Sequence, residues 1–216
     1  ITTAKPLTAA QESFNQWLEQ GYDGTMSWLR ASRDQRHDPR SFFPEAQSAI
    51  VVALDYARLN EPWEEESDHP SISLYARGRD YHRVIKKLLN RLLRFVKKHE
   101  PKVYGRPCVD SFPLLEKPLA VRAGMGWIGK HTNLIIPQHG SFFFLGELLL
   151  SIPLPPDTPS SYDHCGTCTR CQDACPTDAL NTAYALNALH CIAYLTIEHH
   201  EDDIAPELTR QMGTWV

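Results

Sequence analysis

The sequence predicts an α/β (α+β) protein: a mixed sheet with helices laid against it, followed by a small cysteine-bearing module. Two β-branched or leucine-rich runs, at 48–54 and 141–151, alternate with strongly periodic helical segments. A proline-rich stretch, Pro153, Pro155, Pro156 and Pro159, then leads into a dense run of cysteines. The boundary is set there, giving domains of 1–156 and 157–216. Hydrophobic content of 42% and charge of 22% over 216 residues are ordinary for a folded globular chain. A net charge of −4 and a pI near 6.2 give no global case for nucleic-acid binding. No apolar run reaches membrane-spanning length, and the N-terminus lacks the charged and apolar regions of a signal peptide. A cytoplasmic location is expected.

In chain order, 8–21 reads as a first helix. Thr8 and Gln11 have capping-box spacing, Phe14, Trp17 and Leu18 share a face, and Gly21 ends it. A short helix is expected near 25–31, then a polar loop through Arg40. Ser48–Leu54 reads as a strand buried on both faces, and the acidic stretch 60–68 as a surface loop. The strongest helical signal runs from Asp80, the N-cap, to His99. Its apolar stripe is Val84, Ile85, Leu88, Leu89, Leu92, Phe95 and Val96. Arg83, Lys87, Arg91, Arg94 and Lys98 line the opposite face, either as a solvated surface or as a contact for nucleic acid. A strand over 102–110 and a helix over 114–122 follow. Then come a glycine-rich turn at 124–129 and strands over 133–136 and 141–151. Past Pro176 a short helix and a longer one over 187–198, carrying Cys191, are expected.

The chemistry concentrates in Cys165-Gly-Thr-Cys168-Thr-Arg-Cys171-Gln-Asp-Ala-Cys175-Pro176. This C-x2-C-x2-C-x3-C-P spacing is that of bacterial [4Fe–4S] sites, in which three thiolates serve one cluster and the fourth turns towards another. Zinc sites use separated C-x2-C pairs instead. Cys191, 16 residues beyond Cys175, would add a thiolate to a second cluster. No second run of the same spacing follows, and a piece of a longer chain is expected. The 124–129 turn has G-x-G-x-x-G spacing, but neither a strand before it nor an acidic residue after it supports a dinucleotide site. A tight turn beside a large flat ligand is preferred. Asp110 ends an apolar strand, where it serves either as an enclosed proton donor with a raised pKa or as a turn residue before Pro113. His82, His131 and His164 read as solvated or core histidines, and Cys108 as packing.

Jointly, five stretches resemble the epoxyqueuosine reductases over about residues 20–216. They are Gly78-Arg-Asp-Tyr-His82, Val109-Asp110, Glu116-Lys-Pro-Leu-Ala-Val-Arg-Ala-Gly-Met-Gly-Trp-Ile-Gly-Lys130, the cysteine run, and Cys191-Ile-Ala-Tyr-Leu-Thr196. The resemblance implies a cobalamin-binding α/β domain followed by a ferredoxin-like [4Fe–4S] domain. It implies an oxidoreductase that converts epoxyqueuosine to queuosine at the wobble position of tRNA, the last step of queuosine biosynthesis. Electrons would come from a donor such as ferredoxin or flavodoxin to a monomer, without a membrane. It further implies Asp110 as proton donor, and Arg36, Ser73, Asp110, Leu134, Leu145 and Ala193 as cobalamin contacts. Cys165, Cys168 and Cys171 would be ligands of one cluster, and Cys175 and Cys191 of another, with the remaining ligands on a later run. The rival readings are a non-catalytic iron–sulfur electron carrier and a reductive dehalogenase-like enzyme.

Overall fold

The computed structural model describes residues 1–57, 71–159, 162–200 and 203–215. The elements in order are β1 (Thr2–Thr3), α1 (Thr8–Glu19), α2 (Ser27–Ala31), α3 (Arg33–Arg36) and β2 (Ser48–Asp55). Then come α4 (Tyr81–His99), β3 (Gly105–Cys108), α5 (Glu116–Arg122), β4 (Trp127–Ile128) and β5 (Leu134–Ile135). They end with β6 (Phe143–Leu150), α6 (Arg170–Asp173) and α7 (Pro206–Met212).

The main sheet has the order β1-β2-β6-β3. Every pair in it is antiparallel, where a mixed sheet was expected, because β2 and β3 both run against the central β6 and not against each other. Ser48 pairs with Leu150 and Gly105 also pairs with Leu150, so β6 is hydrogen-bonded on both edges. Its side chains alternate between two cores. Leu148 and Leu150 join Ile85, Leu89 and Leu93 of α4 on one face. Leu149 packs on the other with Leu119 and Ala120 of α5. Gly146 is the close approach between α4 and the sheet, since a Cβ there would lie 2.6 Å from Cγ2 of Ile85.

Helix α4 is capped as its sequence implies, with the Asp80 side chain accepting the N–H of His82 at 3.0 Å. Its buried stripe is narrower than expected: Leu93 belongs to it, whereas Leu88 and Phe95 are exposed. The five basic residues of the opposite face are all exposed. In α5, Pro118 falls in the first turn, where its missing N–H costs no intrahelical bond.

Several local expectations are corrected. Thr8 and Gln11 form no capping box, because Leu7 takes the N-cap position and is drawn into the core at 7% exposure. The polar stretch after residue 31 folds into α3 and a 3-10 turn over Pro39–Ser41. The strand expected over 102–110 shortens to β3. The helix expected over 187–198 is broken by extended backbone at Cys191, leaving a 3-10 turn before it and a π-helical turn over Tyr194–Glu198 after it. The acidic stretch 60–68 lies outside the described residues. Among the described residues no helix is long and apolar enough to cross a membrane.

Candidate active site and cluster loop

The chain leaves β3 through Val109 into a turn that presents Asp110 at φ +50°, the left-handed region that a residue with a Cβ rarely adopts. Contacts from two directions hold it there. Asp110 Oδ2 accepts the Tyr81 hydroxyl at 2.6 Å and lies 3.1 Å from Nε2 of His82, both from the first turn of α4. From α5, Glu116 Oε1 accepts the Asp110 backbone N–H at 2.8 Å. The Asp110 side chain is 57% exposed, so of the two sequence readings the residue takes the turn and is not enclosed. Burial falls instead on its neighbours. Burial and the adjoining Asp110 carboxylate push the Tyr81 phenol up. The Glu116 carboxyl is raised by burial to about 6. His82 is no isolated surface histidine, since its Nδ1 lies 3.0 Å from Asp80 while Nε2 faces Asp110.

Arg36, in α3, stands with its guanidinium 5.2 Å over the Trp28 ring and donates to the Ser32 hydroxyl. The charges of Glu116 and Asp110 reach it, while burial lowers its pKa. Leu145 is partly buried near the start of β6. Ser73, Asp110 and Ala193 are exposed. Leu134 is buried at 2% exposure in the core cluster that includes Leu119 and Leu149. The glycine turn is explained from within. A Cβ at Gly126 would lie 1.9 Å from the Ile135 carbonyl oxygen, and one at Gly124 2.5 Å from that of Thr158. The chain's own backbone, approaching this closely, requires glycine at these two positions.

None of the six cysteines is joined in a disulfide. The cluster loop is shaped by backbone contacts. Cys168 N–H donates to the Cys165 carbonyl at 2.8 Å, and Asp163 accepts the Cys165 N–H at 2.8 Å. Lys130, reaching across from the end of the glycine turn, donates to the carbonyls of Gly166 at 2.7 Å and Cys168 at 2.9 Å. Its own carbonyl accepts the Tyr184 N–H at 3.0 Å. Thr177, two residues past Cys175, is joined through its carbonyl to the His190 ring at 3.1 Å, drawing the segments of Cys175 and Cys191 together. Among the described residues no three Cys, His, Asp or Glu side chains gather as a single metal ion would need. The run of soft thiols, with loop carbonyls already engaged by Lys130, is the donor set of an iron–sulfur loop.

The fold and this loop define an α/β protein joined to an iron–sulfur module. Residues 164–216 match the family model described as a 4Fe-4S double cluster binding domain, and residues 36–111 the one described as Epoxyqueuosine reductase QueG, DUF1730. An epoxyqueuosine reductase of Cyclobacterium marinum is 40% identical over 216 residues, covering 100% of this chain and 69% of that protein. The chain belongs to the epoxyqueuosine reductase family. A crystal structure of an epoxyqueuosine reductase with an epoxyqueuosine-modified tRNA-Tyr stem loop has a TM-score of 0.85 at 28% identity, over 99% of this chain and 56% of that one. A Bacillus subtilis epoxyqueuosine reductase, whose catalytic aspartate loop is swung out of its active site, has a TM-score of 0.86 at 29% identity, over 99% and 56%. The chain spans between 55% and 70% of the length of the curated relatives it matches.

Sequence reasoning overlooked Tyr81 as a partner of Asp110, and Glu116 and Lys130 as parts of the site. All three lie in stretches that carry the family resemblance, 78–82 and 116–130.

Proposed function

We propose that this chain carries the catalytic and cluster-binding portion of an enzyme that reduces epoxyqueuosine in tRNA to queuosine. The observation that carries this reading is the setting of Asp110, whose carboxyl meets Tyr81 and His82 and whose backbone N–H is held by Glu116, in a chain that also carries the cysteine loop gripped by Lys130. Lys117 follows Glu116 at the start of α5. Burial lowers the Lys117 pKa, and its ammonium is satisfied by the Thr132 carbonyl at 3.0 Å and Asn133 Oδ1 at 3.1 Å.

Removing the epoxide oxygen consumes two electrons and two protons and yields an alkene and water. Cobalamin, when bound, would supply a low-valent cobalt centre for this chemistry, fed one electron at a time through [4Fe–4S] clusters. Arg36, Ser73, Asp110, Leu145 and Ala193 would hold it, with Leu134 supporting that wall from the core. Cys165, Cys168 and Cys171 would serve one cluster, and Cys175 and Cys191 part of a second.

Asp110 gives a proton to the departing oxygen. Tyr81 and His82 aim its carboxyl, and His82, set between Asp80 and Asp110, lies on a path that returns a proton to it. The exposed basic face of α4 starts at Arg83, directly after His82, and would meet the RNA backbone. A ferredoxin or flavodoxin is the electron donor, and the protein acts as a cytoplasmic monomer.

The test uses the full-length protein, reconstituted anaerobically with iron, sulfide and cobalamin and supplied with reductant and an epoxyqueuosine-bearing stem loop. Loss of one oxygen from the RNA by mass spectrometry is expected. Clusters without cobalamin binding and without product would overturn the reading in favour of an electron carrier.

A further inference from the structure

Glu147 lies at the middle of the central strand with 0% of its surface exposed, and neither of its carboxyl oxygens meets a donor among the described residues. Gly146 and Leu148 face α4, so Glu147 points to the α5 side, where the group beside it is the Glu116 carboxyl. Two carboxylates are acceptors only, so the contact becomes a hydrogen bond once a proton sits between them. Burial, and then the Glu116 charge, raise Glu147 well above the ordinary carboxylate range. A proton carried by Glu147 would give Glu116 a donor and partner one of the orphaned Glu147 oxygens. Glu116 Oε1 accepts the Asp110 N–H at 2.8 Å. That bond restrains a backbone which, at φ +50°, needs its surroundings to persist.

We propose that Glu116 is the latch that holds the Asp110 turn in its observed position, and that the protonated Glu147 behind it keeps the Glu116 carboxylate aimed at the Asp110 amide. Glu116 and Glu147 are positioning residues; neither need touch the substrate. The proposal draws on the preceding section only for the role of Asp110; the latch itself is a statement about the turn. The other ionisable groups around the pair are Asp110, Tyr81, Arg36, Lys117 and the buried Cys108 thiol.

Hydrogen–deuterium exchange of the peptide spanning 109–113 tests it without cofactors, with circular dichroism as the check on folding. In Glu116→Ala the Asp110 amide should exchange at least about tenfold faster than in the parent chain. Glu147→Gln should stay near the parent rate, because a glutamine N–H donates to Glu116 as the protonated acid does. Parent-like exchange in Glu116→Ala overturns the latch, and fast exchange in a folded Glu147→Gln overturns the donor role of Glu147.

Should Glu116→Ala not fold, the parent chain carries the test. Its exchange at Asp110, corrected for intrinsic rate, should rise as the pH falls through about 6, where Glu116 takes up a proton. A flat profile overturns the proposal. In the reconstituted full-length enzyme, Glu116→Ala should lower kcat about tenfold with KM within about twofold. Asp110→Asn keeps its backbone N–H, so normal turnover in that variant would sink the functional reading while leaving the latch intact.

Discussion

The Tyr81 hydroxyl donates to Asp110 at 2.6 Å while the Tyr81 ring lies flat against Phe144, with centroids 4.1 Å apart and planes 5° from parallel. A residue of β6 thus sets the angle from which α4 addresses the acidic turn. Packing and hydrogen bonding act here through one side chain.

Tyr81→Phe removes the hydroxyl and keeps the stacked ring. A hydrogen bond to a charged group contributes up to about 1.5–3 kcal/mol, so single-turnover reduction should slow by up to roughly ten- to a hundredfold while the chain stays folded, with a melting temperature lowered by several degrees at most. An unaltered rate would remove Tyr81 from the site.

For Asp110→Asn the shape of the turn is kept and the transferable proton is lost. General-acid contributions of about 10²–10⁴-fold set the scale. Turnover should fall by that order while the stem loop still binds, as measured by filter binding beside the rate assay. A variant that turns over at the parent rate would dismiss Asp110 as the donor.

Replacing Lys130 with methionine withdraws two hydrogen bonds from the cluster loop. Charge and hydrogen bonding near a cluster set its reduction potential. The variant should lose iron faster on gel filtration, and what it retains should be reduced at a more negative potential. Equal iron retention and an unmoved potential would show that the loop needs no support from the larger domain.

On α4, Lys87→Glu and Arg91→Glu reverse two exposed charges. Binding of the stem loop should weaken, and each lost phosphate contact should reduce the slope of log K against log salt by about 1. Thermal stability should hold, since neither side chain is packed. Parent-like salt dependence would mark the stripe as an ordinary solvated face.

The buried acid pair makes a stability prediction with a definite sign. Glu147 and Glu116 have folded-state pKa values above their unfolded ones, so the fold favours their protonated forms. The stability they contribute is complete below the unfolded carboxylate range and is lost as the pH rises through the folded values, about 6 for Glu116. Glu147→Gln cannot ionise. Its melting temperature relative to the parent should therefore climb as the pH is raised from about 4.5 upwards, and a difference independent of pH would show that Glu147 is not buried as an acid.

Much of this architecture was legible in the sequence because it rests on local signals. Asp80 and the 3.6-residue period announce α4, the β-branched run announces β2, and cysteine spacing announces the cluster loop. Relations that join distant positions were hidden. Glu147 interrupts an apolar run and reads as a polar break; only the register opposite Val51 and Cys108 shows it at the centre of the sheet. His82 has its partner 28 residues away. Leu93 was overlooked and Leu88 overvalued because α4 meets the sheet along a narrow line, which periodicity alone does not locate. Cys191 lies inside a helical pattern that the backbone abandons just there, and nothing in a propensity scale foretells that break.

The grip of Lys130 on the carbonyls of Gly166 and Cys168 involves only protein atoms. Part of the conformational entropy of the cysteine loop is thus surrendered when the chain folds, before any iron arrives. Metal then meets a partly preorganised receptor, and less of its binding energy is diverted into ordering backbone. A loop organised in this way ties iron uptake to the folding of the segment that places Lys130.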